Sequence, residues 1–301
     1  MLETNKIFKT NFSHSEKLYS LTDEDVKAVQ KDLLEMFLDI KAVCDTEGIP
    51  YVFGGGSVLG AVRHQGFIPW DDDIDLNIER KYLLQLKAAI EKRYGDKYYV
   101  QAPVISPEHY STFWDVQKKG TVYRESLAQA EGKCGLKVDI FPIENTYSNK
   151  FLRGIHRVLS DGASFILSCI RFHDRKEEYI DLAGDDASAI SVIHKKAFIG
   201  APFSLSRKFW LRFANGVYSM SKNDESEYVV VPTGRRHFVG EIYKRSEFAV
   251  GRSAQFEGVE VMVPYETEAY LKRLFGEHYM EVPPEEKREH HMVYEMELGH
   301  E

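Results

Sequence analysis

Four carboxylates crowd five positions of the sequence, at Asp71, Asp72, Asp73 and Asp75. They head an apolar alternation, Ile74, Leu76 and Ile78, that reads as a β-strand. Residues two apart on a strand share a face, about 6–7 Å apart at Cα. Asp73 and Asp75 therefore point the same way, where one hard cation can bridge them, and Asp72 points away. Some fifteen residues earlier stands Gly54-Gly55-Gly56-Ser57. Glycine lets a ligand approach the backbone closely. A helix opening there offers free N–H groups and a positive dipole end to phosphate oxygens, with the Ser57 hydroxyl as a further donor. A later alternation, Leu136 to Pro142, carries one more carboxylate, Asp139. Such a set suits Mg²⁺ or Mn²⁺, which take oxygen ligands and keep positions for water and substrate phosphate. The chemistry it supports is metal-assisted transfer of a phosphoryl group. Asp139 then completes the metal site or takes the acceptor's proton; the sequence does not separate these roles. An acidic run alone is ordinarily a solvated turn, and triglycine alone is ordinarily a hinge. Here the run follows Phe67, Ile68, Pro69 and Trp70 and leads straight into an apolar strand, so the joint pattern carries the reading.

Neighbouring residues have two readings each. Arg63 can grip a phosphate with both guanidinium arms or steady the acidic cluster as an ion pair. His64 fits a hydrogen-bond partner better than a base. Trp70 fits core packing better than a cage for a cationic alcohol. His290 and His291 have no third ligand nearby in sequence. Arg235, Arg236 and His237 read as a solvated loop.

These residues need elements to position them. Residues 1–20 read as a loose arm. Thr22 with Asp25 resembles a capping box, and Val26, Val29, Leu33, Met36, Phe37, Ile40 and Cys44 recur at helical spacing up to Gly48 and Pro50. Tyr51 to Phe53 is a short strand, Gly54 to Gly56 a turn, and Ser57 to His64 a helix. Arg80 to Arg93 is a further helix. Tyr98 to Ala102, Ser111 to Gln117 and Leu136 to Pro142 alternate as strands, the last ended by Pro142. Beyond Asn145 the texture changes: Phe151 to Phe172 and Leu205 to Met220 read as helices, with polar residues 181–188 between them. Tyr228 to Pro232 and Val259 to Val263 are strand-like, and Thr267 to Phe275 is helical up to Gly276. The basic, amphipathic stretch from Phe151 to Phe172 reads as a packed helix, with a membrane surface as its other setting. The organisation expected is an arm (1–20), a catalytic core (21–145) and a C-terminal region (146–301) that closes the cleft and selects the acceptor.

The chain has 301 residues and is 43% hydrophobic, enough for a sizeable core. Its net charge is −8 and it has no basic stripe, so no nucleic-acid partner is expected. Cys44, Cys134 and Cys169 are isolated and odd in number, which fits a reducing interior better than a disulfide framework. No apolar run is long enough to span a bilayer.

Gly55-Gly56-Ser57-Val58-Leu59-Gly60, followed by Arg63-His64 and Gly66-Phe67-Ile68-Pro69-Trp70-Asp71-Asp72-Asp73-Ile74-Asp75, resembles the signature of the LicD family. Val138-Asp139-Ile140-Phe141-Pro142 is similar to that family's third-carboxylate strand, and Phe256 to Val259 with Pro283 to Arg288 resemble its C-terminal features. The resemblance implies an α/β fold of mixed sheet with a nucleotidyltransferase-like core. It implies transfer of a phospho-alcohol, typically phosphocholine from CDP-choline, to a hydroxyl of a cell-surface glycan such as teichoic acid, lipopolysaccharide or capsule, with release of CMP. By match, Asp73, Asp75 and Asp139 are catalytic and hold Mg²⁺ or Mn²⁺, while Gly55, Gly56, Ser57, Arg63, His64 and Asp71 meet the substrate. The partners implied are a CDP-alcohol donor and a glycan or lipid-linked glycan acceptor, with peripheral membrane contact. The expected location is cytoplasmic, at the inner face of the membrane. The alternatives are nucleotidyl transfer from an NTP with pyrophosphate release, or a non-catalytic glycan-binding module.

Overall fold

The computed structural model describes residues 19, 21–106, 109, 111–125, 134–288 and 293–299. The expected N-terminal arm, apart from Tyr19, and His290 and His291 lie outside the described residues. Helix α1 spans Asp23–Glu47. The capping box is formed: the Asp25 N–H donates to the Thr22 hydroxyl oxygen at 3.1 Å, and the Thr22 N–H donates to the Asp25 carboxylate at 2.9 Å. Gly48 ends the helix at φ 65°, a left-handed conformation that glycine adopts without a Cβ clash.

Strand β1 (Val52–Phe53) leads into α2 (Gly55–Arg63). The helix opens two residues earlier than the sequence suggested, with Gly54 as its N-cap. Strand β2 (Asp75–Glu79) is followed directly by α3 (Arg80–Tyr94). Strands β3 (Tyr98–Gln101), β4 (Trp114–Lys118), β5 (Val122–Arg124) and β6 (Lys137–Asn145) complete the first half. The main sheet runs β1-β2-β6-β4-β3, with only the β2–β6 pair parallel along that path. It is a mixed sheet flanked by helices, as the sequence suggested.

Pro142 does not end β6. Asp139 donates its N–H to Ile74 on the β2 side. N–H directions alternate along a strand, so the N of Pro142 points to the opposite side. There β4 has finished, at Trp114 against Ile140, and β7 begins at Val230 against Glu144. The missing donor falls in that gap and costs no ladder bond.

The middle of the chain is helical: α4 (Lys150–Asp174), α5 (Lys176–Ala183), α6 (Ala187–Ser204) and α7 (Arg207–Tyr218). The sequence reading missed α5 and most of α6. Asp186 caps α6 by accepting the Ser188 and Ala189 N–H groups, so the polar stretch hides a helix start. Strand β7 (Tyr228–Val230), α8 (His237–Gly240), β8 (Ile242–Lys244) and α9 (Arg245–Phe248) follow. The β9–β10 hairpin (Gly251–Phe256 and Val259–Pro264), α10 (Thr267–Phe275) and β11 (Glu295–Glu297) end the described fold.

One large core unites the first 145 residues with the chain from Val229 onward; Phe37, Phe53, Leu76, Val138, Phe256 and Leu271 all belong to it. Burying each such side chain contributes about 1.5–3 kcal/mol. The helices between Lys150 and Tyr218 rest on two small clusters of their own, one around Phe172 and Ile193 and one around Ala163 and Ala214.

Candidate active site

Strand register does most of the assembly. Asp75 on β2 pairs with Asp139 on β6, and Asp139 pairs in turn with Asp115 on β4. Residues paired across neighbouring strands share a face, and the strands lie about 4.8 Å apart. Three carboxylates thus stand in one row. Asp115 was not among the expected residues. Its strand shows only an ordinary alternation, and nothing in a sequence states which position of one strand faces which of another.

The glycine turn closes one end of this row. The Gly54 N–H donates to the Asp75 carbonyl at 2.8 Å, and the Asp75 N–H donates to the Ser57 hydroxyl oxygen at 2.9 Å. Gly55 sits at φ 43°, and a Cβ there would stand 2.7 Å from Asp75 Oδ2. A Cβ on Gly56 would stand 2.7 Å from Asp71 Oδ2. These glycines therefore let the N-terminus of α2 press directly against two carboxylates. The Gly55 N–H donates to the Tyr270 hydroxyl at 2.8 Å, which ties α10 to the turn. Asp72, which lies before the strand and so outside its alternation, is buried and accepts a hydrogen bond from the buried Tyr123 hydroxyl. The observed strand begins at Asp75, so Asp73 occupies the approach to β2.

Crowding shows in the acidities. Burial raises the Asp75 carboxyl well above the usual range, and the charges of Asp73 and then Asp139 raise it further. Burial pushes Asp139 up to about 7, against the pull of Lys137. Burial pushes Asp115 up to about 6, although Lys137 and a hydrogen bond from Gln117 oppose it. Lys137, a second residue the sequence reading overlooked, lies two positions before Asp139 and so on the same face. Its ammonium contacts Asp139 Oδ2 at 2.6 Å and Glu125 Oε2 at 3.0 Å. Burial alone would lower its pKa, but Asp139, Glu125 and Asp115 hold it well above the ordinary lysine value.

The remaining expected residues sit at the mouth. Arg63 donates to the carbonyls of Tyr279 and Glu281 at 3.0 and 3.1 Å and to His64 Nε2 at 2.9 Å. Burial draws its guanidinium below the ordinary value, against the nearby Asp71. Burial and then the Arg63 charge lower the His64 imidazole. Trp70 carries the Arg288 guanidinium over its ring, 4.3 Å from the centroid, so that face is already taken. Arg236 donates to the Leu274 carbonyl and Arg235 covers Phe275, so the basic cluster braces α10.

Among the described residues, no three His, Cys, Asp or Glu side chains close on one point as a ready metal cage. The donor set still fits a hard divalent cation. Mg²⁺ commonly takes one or two carboxylates and completes its shell with water and phosphate. Asp139 Oδ1 is buried with no hydrogen-bond partner, and Asp75 is raised by three neighbouring acids. Lys137 meets Asp139 and Glu125, and the acids Asp75, Asp139, Asp115 and Glu125 still outnumber it.

Residues 48–160 match a family model described as LicD/FKTN/FKRP, nucleotidyltransferase domain. The chain is 26% identical over 293 residues to the lipopolysaccharide cholinephosphotransferase LicD of Haemophilus influenzae, covering 91% of this chain and 97% of that protein. It is 49% identical over 39 residues to the ribitol 5-phosphate transferase FKRP of Homo sapiens, a segment that covers 13% of this chain and 8% of that one. An uncharacterized protein of Rickettsia prowazekii, RP689, is 37% identical over 71 residues, 22% of this chain and 27% of that protein.

Proposed function

From a chain whose residues 48–160 form a LicD/FKTN/FKRP-type nucleotidyltransferase domain, and which is a phosphotransferase on that kinship, we propose a phosphocholine transferase. The donor is CDP-choline, the acceptor a hydroxyl of a cell-surface glycan, and the product nucleotide CMP. The reaction runs on the cytoplasmic side, on a glycan or lipid-linked glycan. The observation that carries this reading is the in-register pairing of Asp75 with Asp139 beside the glycine turn that opens α2.

Asp73, Asp75 and Asp139 would hold Mg²⁺ or Mn²⁺, which neutralises charge on the transferring group when bound. The backbone of Gly55 and Gly56 admits the phosphates to the start of α2, where the helix dipole favours negative charge. The Ser57 hydroxyl, anchored to the Asp75 N–H, keeps its own proton available for a phosphate oxygen. Asp139 either completes that metal site or takes the proton of an acceptor hydroxyl; without a cation its carboxyl is pushed up to about 7 by burial, which suits the second role. Arg63 and Asp71 border the entrance.

The test is incubation with CDP-choline, CDP-ribitol and CDP-glycerol, each with Mg²⁺ and a phosphocholine-free lipopolysaccharide, followed by nucleotide analysis. CMP released with CDP-choline, and choline found on the glycan, support the proposal. Pyrophosphate released from an NTP instead would make the protein a nucleotidyltransferase. Binding of the glycan with no turnover would make it a binding module.

A further inference from the structure

Half of the large apolar side chains exposed among the described residues belong to the helices from Lys150 to Tyr218. The most continuous part is the first half of α4. Phe151 is 74% exposed and Val158 69% exposed, with Ile155 between them on the same stripe. Leu152 and Leu159 widen that stripe. Lys150, Phe151, Gly154, Ile155, Val158 and Leu159 line an apolar groove of about 500 Å³. On the opposite side of the helix, His156 and Ser160 are buried and hold it to the body of the protein. Farther along, Phe198 and Leu205 are 82% and 98% exposed. A soluble surface rarely leaves so much apolar area uncovered.

Charge says what covers it. Residues 150–218 carry eleven Lys or Arg against seven Asp or Glu, whereas the whole chain carries 39 against 47. The apolar stripe itself lies beside Lys150, Arg153 and Arg157, and residues 150–160 carry no acid. A second copy would bring the same positive charge against itself. An anionic lipid surface would meet both the apolar stripe and the cations around it. No described helix is long and apolar enough to cross a membrane, so the contact is in the plane of the interface.

We propose that the α4 stripe, centred on Phe151, Ile155 and Val158, docks this protein on an anionic membrane surface, with Lys150 and Arg157 beside it. The inference is independent of the donor and acceptor assigned above, and its test needs neither. Purified protein is sedimented with vesicles of phosphatidylcholine alone and with vesicles containing one third phosphatidylglycerol. Wild type should pellet with the second set at least tenfold more than with the first. Phe151→Ser with Val158→Ser should lower that binding at least tenfold while leaving the far-UV spectrum and the thermal midpoint near wild type. Lys150→Glu with Arg157→Glu should weaken binding and remove its salt dependence. Wild type that stays in the supernatant with both vesicle types overturns the proposal. So does light scattering that shows a dimer which the Phe151→Ser, Val158→Ser variant dissociates, because a second copy would then cover the stripe. Should the double serine variant lose its thermal midpoint, Phe151→Ser alone is compared with Phe198→Ser: equal losses of vesicle binding overturn the α4 assignment, and a larger loss at Phe151 upholds it.

Discussion

The sheet row of Asp75, Asp139 and Asp115 places charge in the interior, whereas the helices from Lys150 to Tyr218 leave apolar side chains in water. Both arrangements cost stability in the free protein, for opposite reasons. Buried carboxylates lose hydration and repel one another, which is why they hold their protons to higher pH. Exposed Phe and Leu keep their water and lose burial energy. On the proposals made above, a cation and a diphosphate would complete the first region and a lipid surface the second. The difference teaches that function is written here in departures from ordinary burial, with the sign of the departure naming the class of ligand.

The largest break in that comparison is Asp75→Asn. It removes an acid that burial and the neighbouring Asp73, Asp139 and Asp71 disfavour, so the folded state should not lose stability. Turnover should fall roughly 1,000-fold, since the group faces developing charge on the transferring phosphate. CMP release and a thermal melt measure the two together. A variant that keeps a tenth of wild-type turnover would remove Asp75 from the centre.

The same row predicts a pH dependence of stability. Asp139 and Asp115 are raised by burial to about 7 and about 6. In the unfolded chain such carboxyls lose their protons near pH 4. Between about pH 4 and 7 the folded state therefore holds more protons, and stability falls as pH rises through that window. In chelator-treated protein, urea unfolding at pH 5 and pH 8 should show a fall about 2 kcal/mol larger for wild type than for Asp139→Asn. Added Mg²⁺ should shrink the difference. A wild type that gains relative stability at pH 8 would reverse the sign and refute the crowding.

How far the sequence reaches depends on the range of the interaction involved. The capping box at Thr22 and Asp25, the stop at Gly48 and the helix from Arg80 are local, and each follows from neighbours in the chain. Asp75 and Asp139 are legible as candidates because each stands in an apolar alternation beside a phosphate-type turn. Their pairing, and the inclusion of Asp115, is a matter of register between strands distant in sequence, which no local pattern fixes. Lys137 shows the same limit: only the fold reveals that its ammonium stands among Asp139, Glu125 and Asp115. Pro142 looked like a strand end because the rule about its missing donor is local. The gap between β4 and β7 that makes it harmless is not. Helix α6 was hidden because its apolar residues are spread around the axis and so leave no clean stripe to read.

The smallest effects come from one substitution placed in each region. Gly55→Ala puts a Cβ 2.7 Å from Asp75 Oδ2 at a backbone φ of 43°. It should cost about 1–3 kcal/mol of stability, from strain at a left-handed position. Turnover should fall roughly tenfold, because the turn must shift away from the acid it supports. Gly154→Ala, in the exposed part of α4, meets nothing within 4 Å and has ordinary helical backbone. There alanine restricts only the unfolded chain and should add about 0.5–1 kcal/mol. Solution turnover should stay at the wild-type level. Urea denaturation of the two variants side by side reads the contrast. If Gly55→Ala were neutral, the close approach of the α2 N-terminus to Asp75 would not be needed by the fold. If Gly154→Ala were destabilising, α4 would have to be packed against something at the place where the structure leaves it open.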